Sequence, residues 1–187
     1  ADEEYLRRFR NESRAINALS HPNIVKIYDV VLDVPNPYLV MEYVSGITLK
    51  EYIERKKPIP GKTAANIAGL VLTALQCAHE NGIVHRDVKP DNLMLRADGS
   101  VALIDFGVAK HGNQNLEHTQ HGEIVGSPYY MSPEQAAARS VSPASDIYCL
   151  GVIFFEMVTG KKPYIAETME SLLYQHMNVP PPRFEAK

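Results

Sequence analysis

The sequence predicts an α+β protein in which a small β-containing part is followed by a larger, mostly helical one. Three observations carry that expectation. Two β-rich runs, Ile24–Leu32 and Tyr38–Val44, come early, directly after one amphipathic helical pattern. Two long helical apolar patterns, Thr63–His79 and Asp146–Thr159, dominate the rest of the chain. Between them lies one more short β pair, Asn92–Arg96 and Val101–Asp105.

In chain order, Tyr5, Phe9, Ser13, Ile16 and Leu19 recur at steps of three and four and mark the first helix, with Arg7, Arg8, Arg10 and Arg14 on its other faces. It ends near Ser20-His21-Pro22. The two β runs read as a hairpin across Val34-Pro35-Asn36-Pro37, where the prolines cannot donate to a ladder. Ser45-Gly46 breaks the β pattern, and Thr48-Leu49-Lys50-Glu51 has the spacing of a capping box that opens a short helix. Ile67, Leu70, Val71, Ala74, Leu75 and Ala78 give a core helix, stopped at Gly82 by a left-handed residue. Ser132-Pro133 with Gln135 predicts another helix start. Asp146–Thr159 is apolar nearly all round, so neighbours should cover every face of it and make it a central post. Thr168–Met177 closes the series, stopped by Pro180-Pro181-Pro182.

At 187 residues and 45% hydrophobic content the chain can build a sizeable core. With 19 basic and 22 acidic residues the net charge is −3, which offers no broad basic surface for nucleic acid or an anionic bilayer. The longest apolar run, Tyr148–Val158, falls short of the roughly 20 residues a spanning helix needs. A soluble, cytoplasmic segment is therefore expected, although a tether outside residues 1–187 would not show in it. Cys77 and Cys149 lie in unrelated helical patterns, which favours free thiols over a disulfide.

Asp98-Gly99 is a hairpin signal. If these two are the central turn residues, Arg96 faces Val101 and Asn92 faces Asp105. Directly opposed residues have Cβ atoms about 4.5–5.5 Å apart, close enough for an amide oxygen and a carboxylate to share one ion. Hard oxygen donors suit Mg²⁺. Asp87 stands five residues before Asn92, with Lys89 between. A carboxylate beside a lysine and a metal site can accept a hydroxyl proton while a phosphoryl group transfers. The plain alternative is a solvated loop whose charges satisfy one another.

His85-Arg86-Asp87 with Lys89 and Asn92, then Asp105-Phe106-Gly107, then Ser132-Pro133-Glu134 stand in that order. Together they resemble the catalytic loop, the metal-binding motif and the Ala-Pro-Glu motif of a Hanks-type, eukaryotic-like serine/threonine protein kinase, with Ser for Ala and with bacterial phrasing in Met131–Gln135. Nearly the whole chain is covered. The resemblance implies the two-lobe kinase fold, with residues 1–43 a partial N-lobe of one helix and two strands, and 44–187 a mostly helical C-lobe.

It also implies roles and ligands, namely ATP and Mg²⁺ with protein substrates. Asp87 would take the substrate hydroxyl's proton, Lys89 would steady the γ-phosphate, and Asn92 and Asp105 would hold the metal. The Glu42 and Val44 backbones would meet the adenine edge, with Met41 behind the base and Met94 beneath it. Ile16, Ile27, Phe106 and His85 resemble a stacked spine, anchored by Asp146. Arg86 would pair with a phosphate on the segment between Asp105 and Glu134, where Thr119 is the candidate phosphosite. Ser127 would hydrogen-bond Asp87. His111, His118 and His121 lack a fourth well-spaced ligand, so a polar loop is expected rather than a zinc site.

The sequence contains no Gly-x-Gly-x-x-Gly and no Val-Ala-x-Lys ahead of its first helix. Glu12 holds the position that would pair with such a lysine. The arginine that partners Glu134 in the family would lie past Lys187. The chain is therefore expected to be cut at both ends and inactive alone, its parent being a kinase; the alternative is a noncatalytic kinase-like interaction module.

Overall fold

The computed structural model describes residues 3–31, 34, 38–106 and 127–184. Helix α1 (Glu3–Asn17) buries Ser13 and Ile16, with Leu19 buried just beyond it; the side chains of Tyr5 and Phe9, the rest of the expected face, lie outside the described residues. Strands β1 (Ile27–Val31) and β2 (Tyr38–Met41) pair antiparallel with an irregularity between Ile27 and Asp29. The connection at Pro35-Asn36-Pro37 lies outside the described residues.

The first β run is not one strand. Ile24 forms a parallel bridge with Leu103. There the Val25 N–H donates to the Leu103 carbonyl at 3.0 Å and the Leu103 N–H to the Asn23 carbonyl at 2.7 Å. Only from Ile27 does the chain turn to its hairpin partner. The segment thus ties the small sheet's entry to the larger part.

A three-stranded sheet comes next, ordered β3 (Gly46–Thr48), β4 (Leu93–Arg96), β5 (Val101–Leu103). Ser45-Gly46 was expected to end the β structure, yet Gly46 begins a strand. It pairs with Arg96, and a Cβ there would run into the Leu95 carbonyl. Thr48 then makes both halves of the capping box with Glu51 and starts α2 (Leu49–Lys56).

The larger core lies between α3 (Gly61–Glu80) and α5 (Pro143–Thr159). On α3, Ala64, Ile67, Val71, Ala74, Leu75 and Ala78 are buried. Gly82, at φ +73°, stops that helix, and the Ile83 N–H reaches back to the Ala78 carbonyl at 2.9 Å. On α5, Cys149, Leu150, Val152, Ile153 and Met157 are buried, but Ile147 is 45% exposed. Among the described residues, α5 from Ser145 to Thr159 is buried or half-buried except at Ile147 and Gly151, which leave one strip of the helix open. Short α4 (Pro133–Ala136) and terminal α6 (Met169–Asn178) pack against each other; α4 opens on its expected cap, Ser132, and α6 on Thr168, whose side chain accepts from the Ser171 N–H. No described helix is long and apolar enough to cross a membrane.

Candidate active site

The loop from His85 to Asn92 runs between the end of α3 and β4, and a buried carboxylate organises its start. Asp146, on the first turn of α5, is fully buried. It accepts the His85 N–H at 2.8 Å and the Arg86 N–H at 2.9 Å, and its Oδ2 lies 2.8 Å from His79 Nε2. These bonds hold Arg86 at φ +67°, a left-handed conformation costly for a residue with a Cβ. The Arg86 carbonyl accepts from Gln135 Nε2 at 2.7 Å, so α4 braces the loop from the other side.

His85 is fully buried, and burial pushes its pKa below the ordinary value. Its neighbours fix the tautomer. Nε2 lies 3.1 Å from the Ile104 carbonyl, which can only accept, while Nδ1 accepts the Asp87 N–H at 3.2 Å. The ring is therefore neutral with its proton on Nε2. It packs on Phe106 at a centroid distance of 4.5 Å, and Phe106 shares one buried cluster with Ile16 and Ile27.

Asp87 Oδ2 receives Lys89 Nζ at 3.1 Å and Asn92 Nδ2 at 3.0 Å. Asn92 Nδ2 also donates to the Asp87 carbonyl at 2.9 Å, so the amide's nitrogen is committed and its oxygen is the pole left for a cation. Asn92 is buried, its N–H bonded to the Lys89 carbonyl and its own carbonyl accepting from the Ile104 N–H. The structure thus gathers Asp87, Lys89 and Asn92 into one bonded group.

The predicted pairing of Asn92 with Asp105 is corrected. In the hairpin Leu93 faces Leu103, Met94 faces Ala102 and Leu95 faces Val101. The Arg96 N–H donates to the Ser100 carbonyl and the Gly99 N–H to the Arg96 carbonyl, so three residues, Ala97, Asp98 and Gly99, make the turn. Gly99 alone takes positive φ, +84°. The register moves by one, and Ile104 stands opposite Asn92. Asp105 follows the ladder's end, exposed, at φ +59°. That conformation releases its side chain from strand alternation. The charges of Asp146, Asp87 and Asp105 act on the His85 ring in the direction opposite to its burial, and burial wins. One amide oxygen and one exposed carboxylate are hard donors, a set that fits Mg²⁺ brought with phosphates rather than an all-protein cage.

A protein kinase domain model matches residues 1–181. The chain belongs to the protein kinase family. Its relatives include the serine/threonine-protein kinases PrkC of Bacillus subtilis, 42% identical over 97% of this chain and 28% of that protein, and PknB of Mycobacterium leprae, 40% identical over 96% and 30%. Pkn1 of Myxococcus xanthus is 41% identical over 96% of this chain and 26% of its own length. The kinase chain spans less than a third of each of these relatives.

In this partial two-lobe kinase fold, the small sheet carries Met41 at the end of β2, 38% exposed, opposite Ile27. The Glu42 N–H donates to the Lys26 carbonyl at 2.8 Å, and its carboxylate pairs with Arg96 at 3.0 Å. Val44 is half-buried, as is Met94 in β4. In the kinase's Ser132-Pro133-Glu134 stretch, Ser132 and Gln135 complete a capping box. Glu134 was expected to want a partner past Lys187; here its carboxylate accepts from the Ser145 hydroxyl. Thr119, Gly107, His111, His118 and His121 lie outside the described residues, as do the side chains of Glu12 and Ser127.

Sequence reading missed Gln135 as a brace of the Arg86 carbonyl, because a capping box explains its place alone. It also passed over Glu156, 8% exposed and accepting from the Tyr130 hydroxyl at 2.7 Å. An acid within a nearly all-apolar helix was the signal.

Proposed function

We propose that the protein carrying this chain is a serine/threonine protein kinase that transfers the γ-phosphoryl group of ATP to protein hydroxyls. The observation that carries this is the Asp87 carboxylate, one oxygen of which is held by both Lys89 and Asn92. Asp87 orients the substrate hydroxyl and accepts its proton. Lys89, within reach of that carboxylate, offers its ammonium to the transferring phosphoryl oxygens. Asn92 Oδ1 and the Asp105 carboxylate hold Mg²⁺, which when bound neutralises phosphate charge. With its N–H committed to Lys26, Glu42 has its backbone carbonyl to offer the adenine amine; the Val44 backbone meets the neighbouring edge, and Met41 and Met94 close on the base. Arg86 pairs with a phosphate on Thr119, Ser127 bonds Asp87, and Glu12 pairs with a phosphate-holding lysine. Residues 1–43 and 44–187 act as the two lobes.

The test is phosphotransfer by the full-length protein to serine peptides. Asp87→Asn is expected to lower kcat by about 10²–10⁴, the usual worth of a positioned base, with little change in ATP affinity. Unchanged kcat would remove Asp87 from the chemistry. The alternative reading is a noncatalytic kinase-like module. Residues 1–187 alone are expected to be inactive on either reading, so the residues encoded ahead of Ala1 decide between them. A glycine-rich loop with a lysine there supports the enzyme.

A further inference from the structure

Gln135 does more than its place in α4 asks of it. A capping box needs an oxygen at that position to accept the N–H of the cap residue. Gln135 Oε1 supplies it, accepting the Ser132 N–H at 2.9 Å, while the Ser132 hydroxyl accepts the Gln135 N–H at 3.3 Å. In the other box of this chain a carboxylate suffices: Glu51 Oε2 accepts the Thr48 N–H at 3.2 Å. Capping therefore leaves the amide nitrogen of Gln135 unexplained.

That nitrogen donates to the Arg86 carbonyl at 2.7 Å. Its partners fix which way the amide faces. The oxygen also receives the Cys149 thiol at 3.7 Å, and burial pushes that thiol's pKa up, so it stays a donor. Two donors meet the oxygen and a carbonyl meets the nitrogen, so turning the amide over would spoil all three contacts.

The Arg86 carbonyl and the Asp87 N–H belong to one planar peptide group and point opposite ways. At its other end the group donates to His85 Nδ1 at 3.2 Å. Gln135 and His85 thus grip the peptide before Asp87 from its two sides. Turning that plane breaks both bonds and changes ψ of Arg86 and φ of Asp87, the angle that sets how the base's side chain leaves the chain. The peptide after Asp87 is held as well, its carbonyl accepting from Asn92 Nδ2 at 2.9 Å.

We propose that Gln135 is a positioning residue for the Asp87 base, its amide nitrogen fixing the Arg86–Asp87 peptide from α4. The inference rests on the kinase role proposed for Asp87.

The test separates the brace from the cap in the full-length protein. Gln135→Glu keeps the oxygen that caps α4 and removes the donor; Ser132→Ala removes the box hydroxyl and keeps the donor. Gln135→Glu is expected to slow single-turnover phosphotransfer to a serine peptide about tenfold, the upper worth of one hydrogen bond, with ATP affinity within about twofold of wild type. Ser132→Ala should hold the wild-type rate within about twofold. Amide hydrogen exchange reads the same division without phosphotransfer. Gln135→Glu should speed exchange at Asp87 and leave Ala136 and Ala137 unchanged, and Ser132→Ala should do the reverse. If Gln135→Glu does not fold, Gln135→Met, which also lacks the donor, is compared with Ser132→Ala at Asp87 by both measurements. A folded variant without the donor that keeps the wild-type rate or the wild-type exchange at Asp87, or a loss matched by Ser132→Ala, overturns the proposal. A wild type without phosphotransfer removes the kinase reading instead, and exchange at Asp87 then decides the brace alone.

Discussion

Asp146 shows how much one side chain can fix. Its carboxylate meets the backbone of two successive residues and a histidine ring, and so imposes the left-handed turn at Arg86 that aims the next residue, Asp87. Removing it leaves the buried His85 N–H and the part-buried Arg86 N–H without this acceptor. Asp146→Ala is expected to cost about 3–5 kcal/mol locally, read as faster amide hydrogen exchange at His85 and Arg86 in the full-length protein; exchange at α1 amides should stay as it was. At this scale the site was partly legible. Asp87, Lys89 and Asn92 declared themselves because so much charge stood between apolar neighbours. The positive φ at Arg86 and Asp105 did not, since neither residue type announces that conformation and each is held there by its surroundings.

At the scale of elements, helices were easier to read than strands. Thr48 and Ser132 carry their capping boxes in four residues of sequence, and α3 carries its buried face in its periodicity. Sheet membership depends on partners distant in the chain. Gly46 looked like a breaker because glycine is poor in strands, yet it is in a strand because the Leu95 carbonyl leaves no room for a side chain. Gly46→Ala is expected to destabilise the β3–β4 pairing by about 1–3 kcal/mol, seen as a lowered unfolding midpoint and loss of exchange protection at Ile47 and Thr48. A midpoint equal to wild type would mean the backbone yields there without cost. The hairpin register failed for a related reason: Asp98-Gly99 serves equally in a two-residue turn and in a three-residue turn with Gly at the left-handed place, and only the ladder tells which.

For the molecule as a whole, the two buried histidines set a pH dependence. Burial lowers His85, and it lowers His176, which bonds Tyr148 at 3.0 Å, to about 4. Both rings stay neutral in the folded chain, while the unfolded chain takes up protons below the ordinary value of 6.5. The unfolded state then binds more protons, so stability is full above that value and falls as pH drops toward about 4. The thermal midpoint should decline between about pH 7 and pH 5, and His176→Gln should flatten the decline; a midpoint constant over that range would contradict it. The overall class, α+β with a small β part ahead of a helical one, was legible because long apolar periodicities outlast local exceptions. How the parts join was not, since it rests on the Ile24–Leu103 bridge between distant residues.

That bridge has a mechanical side. The stretch that follows α1 is stitched to β5, and β5 runs out two residues before Asp105. A torque applied to the first helix therefore arrives, through a pair of amide links, on the same ribbon that bears the acidic side chain, as a tiller stock turns its rudder.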